Sequence, residues 1–362
     1  MNIKLELNTA FVCPLSVGLG FSEARPAALS VRDRQLTTAP WYEDFPAMEA
    51  AKPNIIVICG PTGVGKTAMG IELAKMFPGE IIGADSMQIY RYMDIGTAKP
   101  TAAEQAAVNH HMIDIIDPDE SFDAARFALM AGDRVKDLHI RNRIAYVVGG
   151  TGLYIKALLH GLFQTQRPAS EVRERLRQEA AVDGSGSLHR RLARCDPDAA
   201  RRIHANDSYR IIRALETYEA SGEALSQQQR RHGFEPTPFR TLKIALNLDR
   251  TQLYERIDRR VERMFGDGLL DEVRQLQARG YAADLKSMQA IGYRHTLAYL
   301  GGKLDWAETL RTFKRDTRRY AKRQLTWFRA DAEIIWSPPR LTTSIVEIVG
   351  KFVAGTRTVR SY

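Results

Sequence analysis

Residues Gly60-Pro61-Thr62-Gly63-Val64-Gly65-Lys66-Thr67 carry two glycines, a lysine and a threonine at the spacing G-x-x-x-x-G-K-[ST]. A segment of this kind folds so that successive backbone N–H groups converge on phosphate oxygens. Gly60 and Gly65 permit the sharp turn without a Cβ clash, and a helix beginning near Lys66 aims its positive end at the anion. Lys66 adds a point charge, the Thr67 hydroxyl is a ligand for Mg²⁺, and Thr62 sits inside the loop beside the same phosphates. The chemistry expected is nucleotide or diphosphate binding. The loop alone leaves open which phosphate compound it holds.

Two further rim segments carry polar groups. Asp85-Ser86-Met87-Gln88 follows the apolar run Glu80–Ala84, so its carboxylate stands at the end of a strand. An aspartate there either caps a turn or reaches a ligand on the same rim as the phosphate loop. Gly149-Gly150-Thr151-Gly152 follows the apolar Ile144–Val148, and the loop Met93-Asp94-Ile95-Gly96-Thr97-Ala98 closes on Lys99-Pro100. A nucleoside-triphosphate hydrolase usually ends such an apolar strand in an aspartate that orders Mg²⁺ and water. Here the strand ends in glycines, and Asp114 is only a partial substitute. The loop therefore suits a diphosphate that departs better than a triphosphate that is hydrolysed.

The elements that must position these groups are legible as a pattern. Ile55-Ile56-Val57-Ile58-Cys59 reads as the strand feeding the loop, and further strands are expected at Glu80–Ala84, Met112–Ile116 and Ile144–Val148. Helices are expected between them, at Lys66–Met76 and Phe122–Ile140. Strands alternating with helices predict an α/β fold with a mostly parallel sheet flanked by helices, like that of P-loop NTPases. The phosphate then sits at the carboxyl end of the sheet.

From about Gln166 to Glu235 the strand-like runs stop, and helices are expected at Glu171–Glu179, Leu188–Arg194 and Asp207–Ala220, with a Gly-Ser break at 183–187. Leu242–Leu248 resumes the sheet, as if a helical lobe had been inserted. Asp249 caps a helix from Thr251 to about Phe265, and others follow at Leu269–Arg279, Ile291–Leu300, Trp306–Leu310 and Arg311–Phe328. The expected organisation is an unstructured extension over 1–51 (or a late start at Met48), a catalytic core over 52–165 and 238–337, a helical lobe over 166–237, and a peripheral tail over 338–362.

Composition bounds the class. The 362 residues are 44% hydrophobic, enough for a substantial core, and no run of eighteen apolar residues marks a membrane span. Three scattered cysteines without metal spacing point to a reducing compartment, the cytoplasm, and a buried thiol is the plain reading of Cys59. His110 and His111 form no ligand spacing and are read as structural. The net charge of +9 points to an anionic partner, and eight Lys or Arg against one acid fall between Arg311 and Arg329.

Taken together, GPTGVGKT, Asp85–Tyr90, Met93–Pro100, Gly149–Tyr154, Ala290–Arg294 and Tyr320–Arg329 resemble the tRNA dimethylallyltransferase (tRNA isopentenyltransferase) family, bacterial type, over roughly Asn54 to Arg329. The resemblance implies transfer of a dimethylallyl group from its diphosphate to the exocyclic N6 amine of the adenosine on the 3′ side of a tRNA anticodon. It gives Asp85 the role of base, with Lys66 and Thr62 also catalytic and Mg²⁺ near Thr67. The target base must leave its stack to react. The tRNA anticodon stem-loop would be met by Asp85-Ser86-Met87-Gln88, Thr151, Arg173, Tyr209-Arg210-Ile211-Ile212-Arg213, Gln289-Ala290-Ile291-Gly292-Tyr293-Arg294 and Lys322-Arg323-Gln324-Leu325-Thr326-Trp327-Phe328-Arg329. The default oligomeric state is a monomer.

Bland readings stand beside these. Trp327 and Phe328 on a basic helix are also ordinary core residues, and Arg173 among many helical charges also reads as a solvated face. Arg256 and Arg260, one turn apart, are candidates to close over the diphosphate. Ala205 stands where the family commonly has proline. The rival functions are a P-loop small-molecule or nucleotide kinase, with the lobe misread as its lid, and a non-catalytic RNA-binding ATPase.

Overall fold

A computed structural model gives the fold and describes residues 52–162, 170–232 and 237–355. The expectation for residues 1–51 lies outside them. Six strands form one sheet: β1 (Asn54–Cys59), β2 (Gly79–Gly83), β3 (His110–His111), β4 (Ile144–Val148), β5 (Arg240–Leu246) and β6 (Ile335–Ser337). Their order is β3-β2-β4-β1-β5-β6, and every neighbouring pair runs parallel. β1 lies inside the sheet, with Ile55 opposite Ala145 of β4 and Thr241 of β5.

The first four helices are α1 (Lys66–Met76), α2 (Ala102–Ala107), α3 (Ala124–Ile140) and α4 (Gly152–His160). The helical lobe holds α5 (Ser170–Asp183), α6 (Ser185–Cys195), α7 (Pro197–Arg202), α8 (Ser208–Ser221) and α9 (Leu225–His232). After β5 come α10 (Arg250–Gly266), α11 (Leu269–Ala278), α12 (Tyr293–Leu300), α13 (Trp306–Arg329) and α14 (Thr343–Val353).

Side-chain alternation along a strand sends successive residues of β1 to opposite faces. Ile55, Val57 and Cys59 pack with α3 and α4 through Phe127, Leu138 and Leu158. Ile56 and Ile58 pack with α1 and α14 through Met69, Leu73, Ile345 and Val349. A strand buried on both faces must read as a continuous apolar run, as β1 does. Each such side chain contributes about 1.5–3 kcal/mol by leaving water. Asp249 caps α10 as expected, its carboxylate accepting the N–H groups of Thr251 and Gln252.

Four expectations are corrected. Met112–Ile116 is not a strand; the sheet's outer strand is His110–His111, because Met112 and Asp114 take left-handed backbone angles. The two helices expected over Trp306–Phe328 are one, α13, since no residue there breaks the backbone ladder. The tail over 338–362 is not peripheral: α14 buries Ile345, Val349 and Phe352 against the sheet. The Gly-Ser break is narrower than expected, with Gly184 alone preceding α6.

The lobe has its own core, in which Leu176, Leu188, Leu192, Ile211 and Leu215 meet. Ile211 and Ile212, expected at an RNA surface, are buried there. Ile211 faces inward, which corrects its assignment, while Ile212 also borders the surface cavity lined by Tyr209 and Arg213.

Candidate active site

The phosphate loop leaves β1 at Gly60, whose φ of +134° and contact with the β5 backbone exclude a side chain; a Cβ there would lie 2.7 Å from the Leu246 oxygen. Lys66 opens α1 and curls back, its Nζ donating to the Pro61 carbonyl at 2.8 Å. Burial lowers the Lys66 amine from its ordinary value to about 8, against the pull of the Asp85 carboxylate. The Thr62 N–H is not free for a phosphate. It donates to Gln324 Oε1 of α13 at 2.8 Å.

Asp85 stands just past β2. Its Oδ1 accepts the N–H groups of Met87 at 2.9 Å and Gln88 at 3.4 Å, a turn of the kind short carboxylates form. Its other oxygen makes no hydrogen bond among the described residues. The rim beneath it is locked: the Ala84 N–H donates to Val148 O, and the Thr151 N–H donates to Ala84 O. Thr151 Oγ1 accepts the Ser86 N–H at 3.1 Å, and the Tyr320 phenol of α13 is pushed up by burial.

Two cavities meet at this carboxylate. One, of about 550 Å³, is bounded by Lys66, Thr67 and the outward arginines of α10: Arg256, Arg259, Arg260 and Arg263. The other, of about 600 Å³, is bounded by Ser86, Met87, Gln289, Ala290, Ile291 and Arg294, with Ile257, Val261 and Met264 along one wall. Thr62, Asp85, Thr97 and Arg260 line both. Arg260 reaches Thr62 Oγ1 at 3.4 Å and Arg256 reaches the Val64 carbonyl at 3.5 Å. Of the four arginines only Arg259 has a carboxylate partner among the described residues, Glu255. Uncompensated cations around amide donors make this cavity an anion site.

The loop from Met93 to Pro100 forms the wall shared by both cavities. Glu272 of α11 accepts the N–H groups of Asp94, Ile95 and Gly96 at 2.9, 2.7 and 3.0 Å, and the Tyr293 hydroxyl at 2.6 Å. Lys99, almost fully buried, is held by Asp94, Asp114 and the Tyr90 carbonyl. Gln88 donates its amide to the Thr97 and Ala98 carbonyls. Asp114 therefore serves the loop, and the Gln88 amide is spent on it rather than offered to a base.

A third cavity, of about 940 Å³, lies where α4, the end of α13 and Arg210 of α8 meet, lined by Lys322, Arg323, Thr326 and Trp327. Trp327 is 44% exposed, and its ring lies against Gly152, where a Cβ would stand 2.1 Å from the indole nitrogen. Phe328 and Gln324 are buried, and Leu325 packs on the second face of the sheet. Of the eight cations in the basic stretch, five find carboxylates: Arg311 with Glu308, Lys314 with Glu262, Arg318 with Asp258, and Arg315 and Arg319 with Asp316. Lys322, Arg323 and Arg329 have none among the described residues.

Family models describe the same chain: IPP transferase over residues 88–331 and isopentenyl transferase over residues 53–121. A tRNA dimethylallyltransferase of Desulfosudis oleivorans is 56% identical over 285 residues, covering 79% of this chain and 91% of that protein. The chain belongs to the tRNA dimethylallyltransferase family. The relative from Desulfatibacillum aliphaticivorans is 49% identical, covering 84% of this chain and 99% of its own length. Among solved structures, the tRNA isopentenylpyrophosphate transferase of Bacillus halodurans matches with a TM-score of 0.62 at 42% identity, over 84% of this chain and 96% of that one. A eukaryotic dimethylallyltransferase acting on tRNA matches with a TM-score of 0.72 at 29% identity, over 84% and 80%.

Within this member of the dimethylallyltransferase family the expected residues divide by position. Asp85, Ser86, Met87, Gln289, Ala290, Ile291 and Arg294 line the second cavity, and Arg210, Lys322, Arg323, Thr326 and Trp327 line the third. Arg173, Tyr209 and Arg213 form a separate surface on the lobe, where Arg173 pairs with the buried Glu216. Gly292, Tyr293, Gln324 and Phe328 are buried, with Tyr293 bordering the second cavity and Phe328 the third. Sequence reasoning missed Glu272, Tyr320, Arg259 and Arg263. The arginine spacing 256, 259, 260, 263 was a readable signal, since it puts one cationic ridge on a helix.

Proposed function

We propose that this chain moves the dimethylallyl group of dimethylallyl diphosphate to the exocyclic N6 amine of the adenosine on the 3′ side of a tRNA anticodon, releasing diphosphate. The observation that carries the reading is Asp85, with one carboxylate oxygen unspent, at the junction of a cationic cavity and a roomier, mixed one. An adenine amine is a poor nucleophile because its lone pair is delocalised into the ring. As nitrogen bonds the allylic carbon, the carbon–oxygen bond breaks, its electron pair leaves with the diphosphate, and the amine proton becomes acidic enough for a carboxylate to take.

The donor diphosphate enters from the phosphate loop, where the loop amides, Lys66, Arg256 and Arg260 offset the charge that grows on the leaving oxygen. Thr67 Oγ1 borders that cavity without a hydrogen bond among the described residues, which fits one protein ligand to a Mg²⁺ otherwise held by phosphate and water. Such an ion would add positive charge at the departing group. The adenine, extruded from its stack, enters from the opposite cavity past Gln289 and Arg294. Arg323 borders both that cavity and the larger one, so the RNA strand has a cationic route along α13.

A kinase gains no support: the relatives are tRNA dimethylallyl- and isopentenyltransferases, and β4 is followed by Gly149-Gly150 rather than a carboxylate. Among the described residues no helix is long and apolar enough to cross a membrane; the proposed protein is a cytoplasmic monomer acting on tRNA. The test is transfer of labelled dimethylallyl from its diphosphate to tRNA. Asp85→Asn should abolish it while tRNA and inorganic diphosphate still bind. Undiminished transfer by that variant would remove Asp85 from the chemistry, and γ-phosphate transfer from ATP to a metabolite would restore the kinase.

A further inference from the structure

We propose that the apolar ridge Ile257–Val261–Met264 of α10 seats the hydrocarbon tail of the allylic donor, and that Met264 limits this tail to one isoprene unit. The inference rests on the transferase reading above and names the part of the protein that selects the donor.

Helix α10 sets two adjoining ridges along the site, a cationic one and an apolar one whose side chains are largely buried, Ile257 and Val261 1% and Met264 7% exposed. Arg256, Arg260 and Arg263 border the phosphate cavity, and the residue following each of them, Ile257, Val261 and Met264, borders the second. Residues one apart on a helix lie about 100° apart around its axis, so the cationic and apolar ridges run side by side. A prenyl diphosphate has the same division, an anionic group joined directly to a hydrocarbon.

Its reacting carbon sits at the junction of Thr62, Asp85, Thr97 and Arg260, the residues that border both the phosphate cavity and the second one. Displacement puts the departing oxygen and the attacking nitrogen on opposite sides of that carbon, so the tail leaves sideways. One side of the junction is the loop Gly96-Thr97, whose neighbouring carbonyls are bound by Gln88. The other is α10. A hydrocarbon gains by lying on apolar side chains, and on this side α10 supplies Ile257, Val261 and Met264.

Length follows from the helix. Val261 stands beside Arg260, while Met264 lies three residues beyond Val261, about 4.5 Å along the axis. Met264 belongs to the main core with Leu269, Tyr293 and Phe313, so the ridge ends against packed protein. One isoprene unit fits alongside Val261; a second meets the Met264 side chain.

The experiment compares kcat/KM for dimethylallyl and geranyl diphosphate with tRNA as acceptor. Wild type should favour the shorter donor, and Met264→Ala should shift the ratio toward geranyl by on the order of tenfold, the lower end of what hydrophobic-pocket selection achieves. Val261→Met, which fills the ridge, should weaken use of dimethylallyl diphosphate while inhibition by inorganic diphosphate stays as in wild type. An unchanged ratio in Met264→Ala overturns the proposal, as does loss of transfer from both donors with tRNA binding intact. Wild type that uses neither donor sinks the transferase reading instead.

Discussion

Gln324 accepts the backbone N–H of Thr62 at 2.8 Å, and with its amide nitrogen donates to the Gly150 carbonyl at 2.9 Å. One side chain of α13 thereby ties the phosphate loop to the glycine rim, and Lys322 and Arg323 precede it on the same helix. Gln324→Ala would leave a buried donor and a buried acceptor unmatched, at about 1–3 kcal/mol each. The expected outcome is a lower Tm together with a raised KM for the donor. A donor KM unchanged in the properly folded variant would reduce Gln324 to a packing residue.

Glu272 holds three successive N–H groups of the loop at Asp94–Gly96 and the Tyr293 hydroxyl. That loop in turn binds the Gln88 amide, and the Gln88 N–H donates to Asp85. Glu272→Gln replaces one acceptor oxygen with a donor facing other donors. It should lower kcat by about tenfold to a hundredfold, the loss that a slightly misplaced group brings, while tRNA affinity holds. Equal losses in kcat and tRNA affinity would show a general unfolding of the wall rather than misplacement of Asp85.

The parts of this site written into contiguous residues were legible, and the parts made by distant pairs were not. GPTGVGKT, β1 and β4 read directly, because a turn and a doubly buried strand each impose a local pattern. Glu272 and its loop are separated by 176 to 178 positions, and Gln324 and Thr62 by 262, so no spacing announces either pair. Met112–Ile116 looked like a strand by composition. Its left-handed Met112 and Asp114 are held by contacts such as Lys99 with Asp114, which sequence periodicity does not carry. β6 has three residues, too few to show alternation, and its place is set by β5 beside it.

Charge counting over Arg311–Arg329 overstated the free positive surface, since most of those groups are matched by carboxylates on α10 or α13 itself. The unmatched Lys322, Arg323 and Arg329 should carry the salt-dependent part of tRNA binding. Lys322→Ala and Arg323→Ala should each reduce the slope of log K against log salt by about 1. Arg311→Ala, whose cation already pairs with Glu308, should leave the slope near that of wild type. Binding titrations from low to high salt distinguish these cases, and a slope equally affected by all three would spread the contact along the whole helix.

Burial holds the Lys66 amine down at about 8, so in the free protein it is cationic below that pH and loses its charge above it. Diphosphate binding favours the charged form, which raises the pKa once donor is bound. Donor kcat/KM reports the free protein and should therefore fall on the alkaline side with an apparent pKa near 8, by about tenfold per pH unit well beyond it. The kcat profile reports the bound state, and its alkaline limb should lie at higher pH. Lys66→Arg keeps the charge across this range and should remove the limb from kcat/KM, even though its forked head loses the single contact to Pro61 and lowers activity throughout. A limb near pH 8 that persists in Lys66→Arg would assign the titration to another group and release Lys66 from its role at the diphosphate.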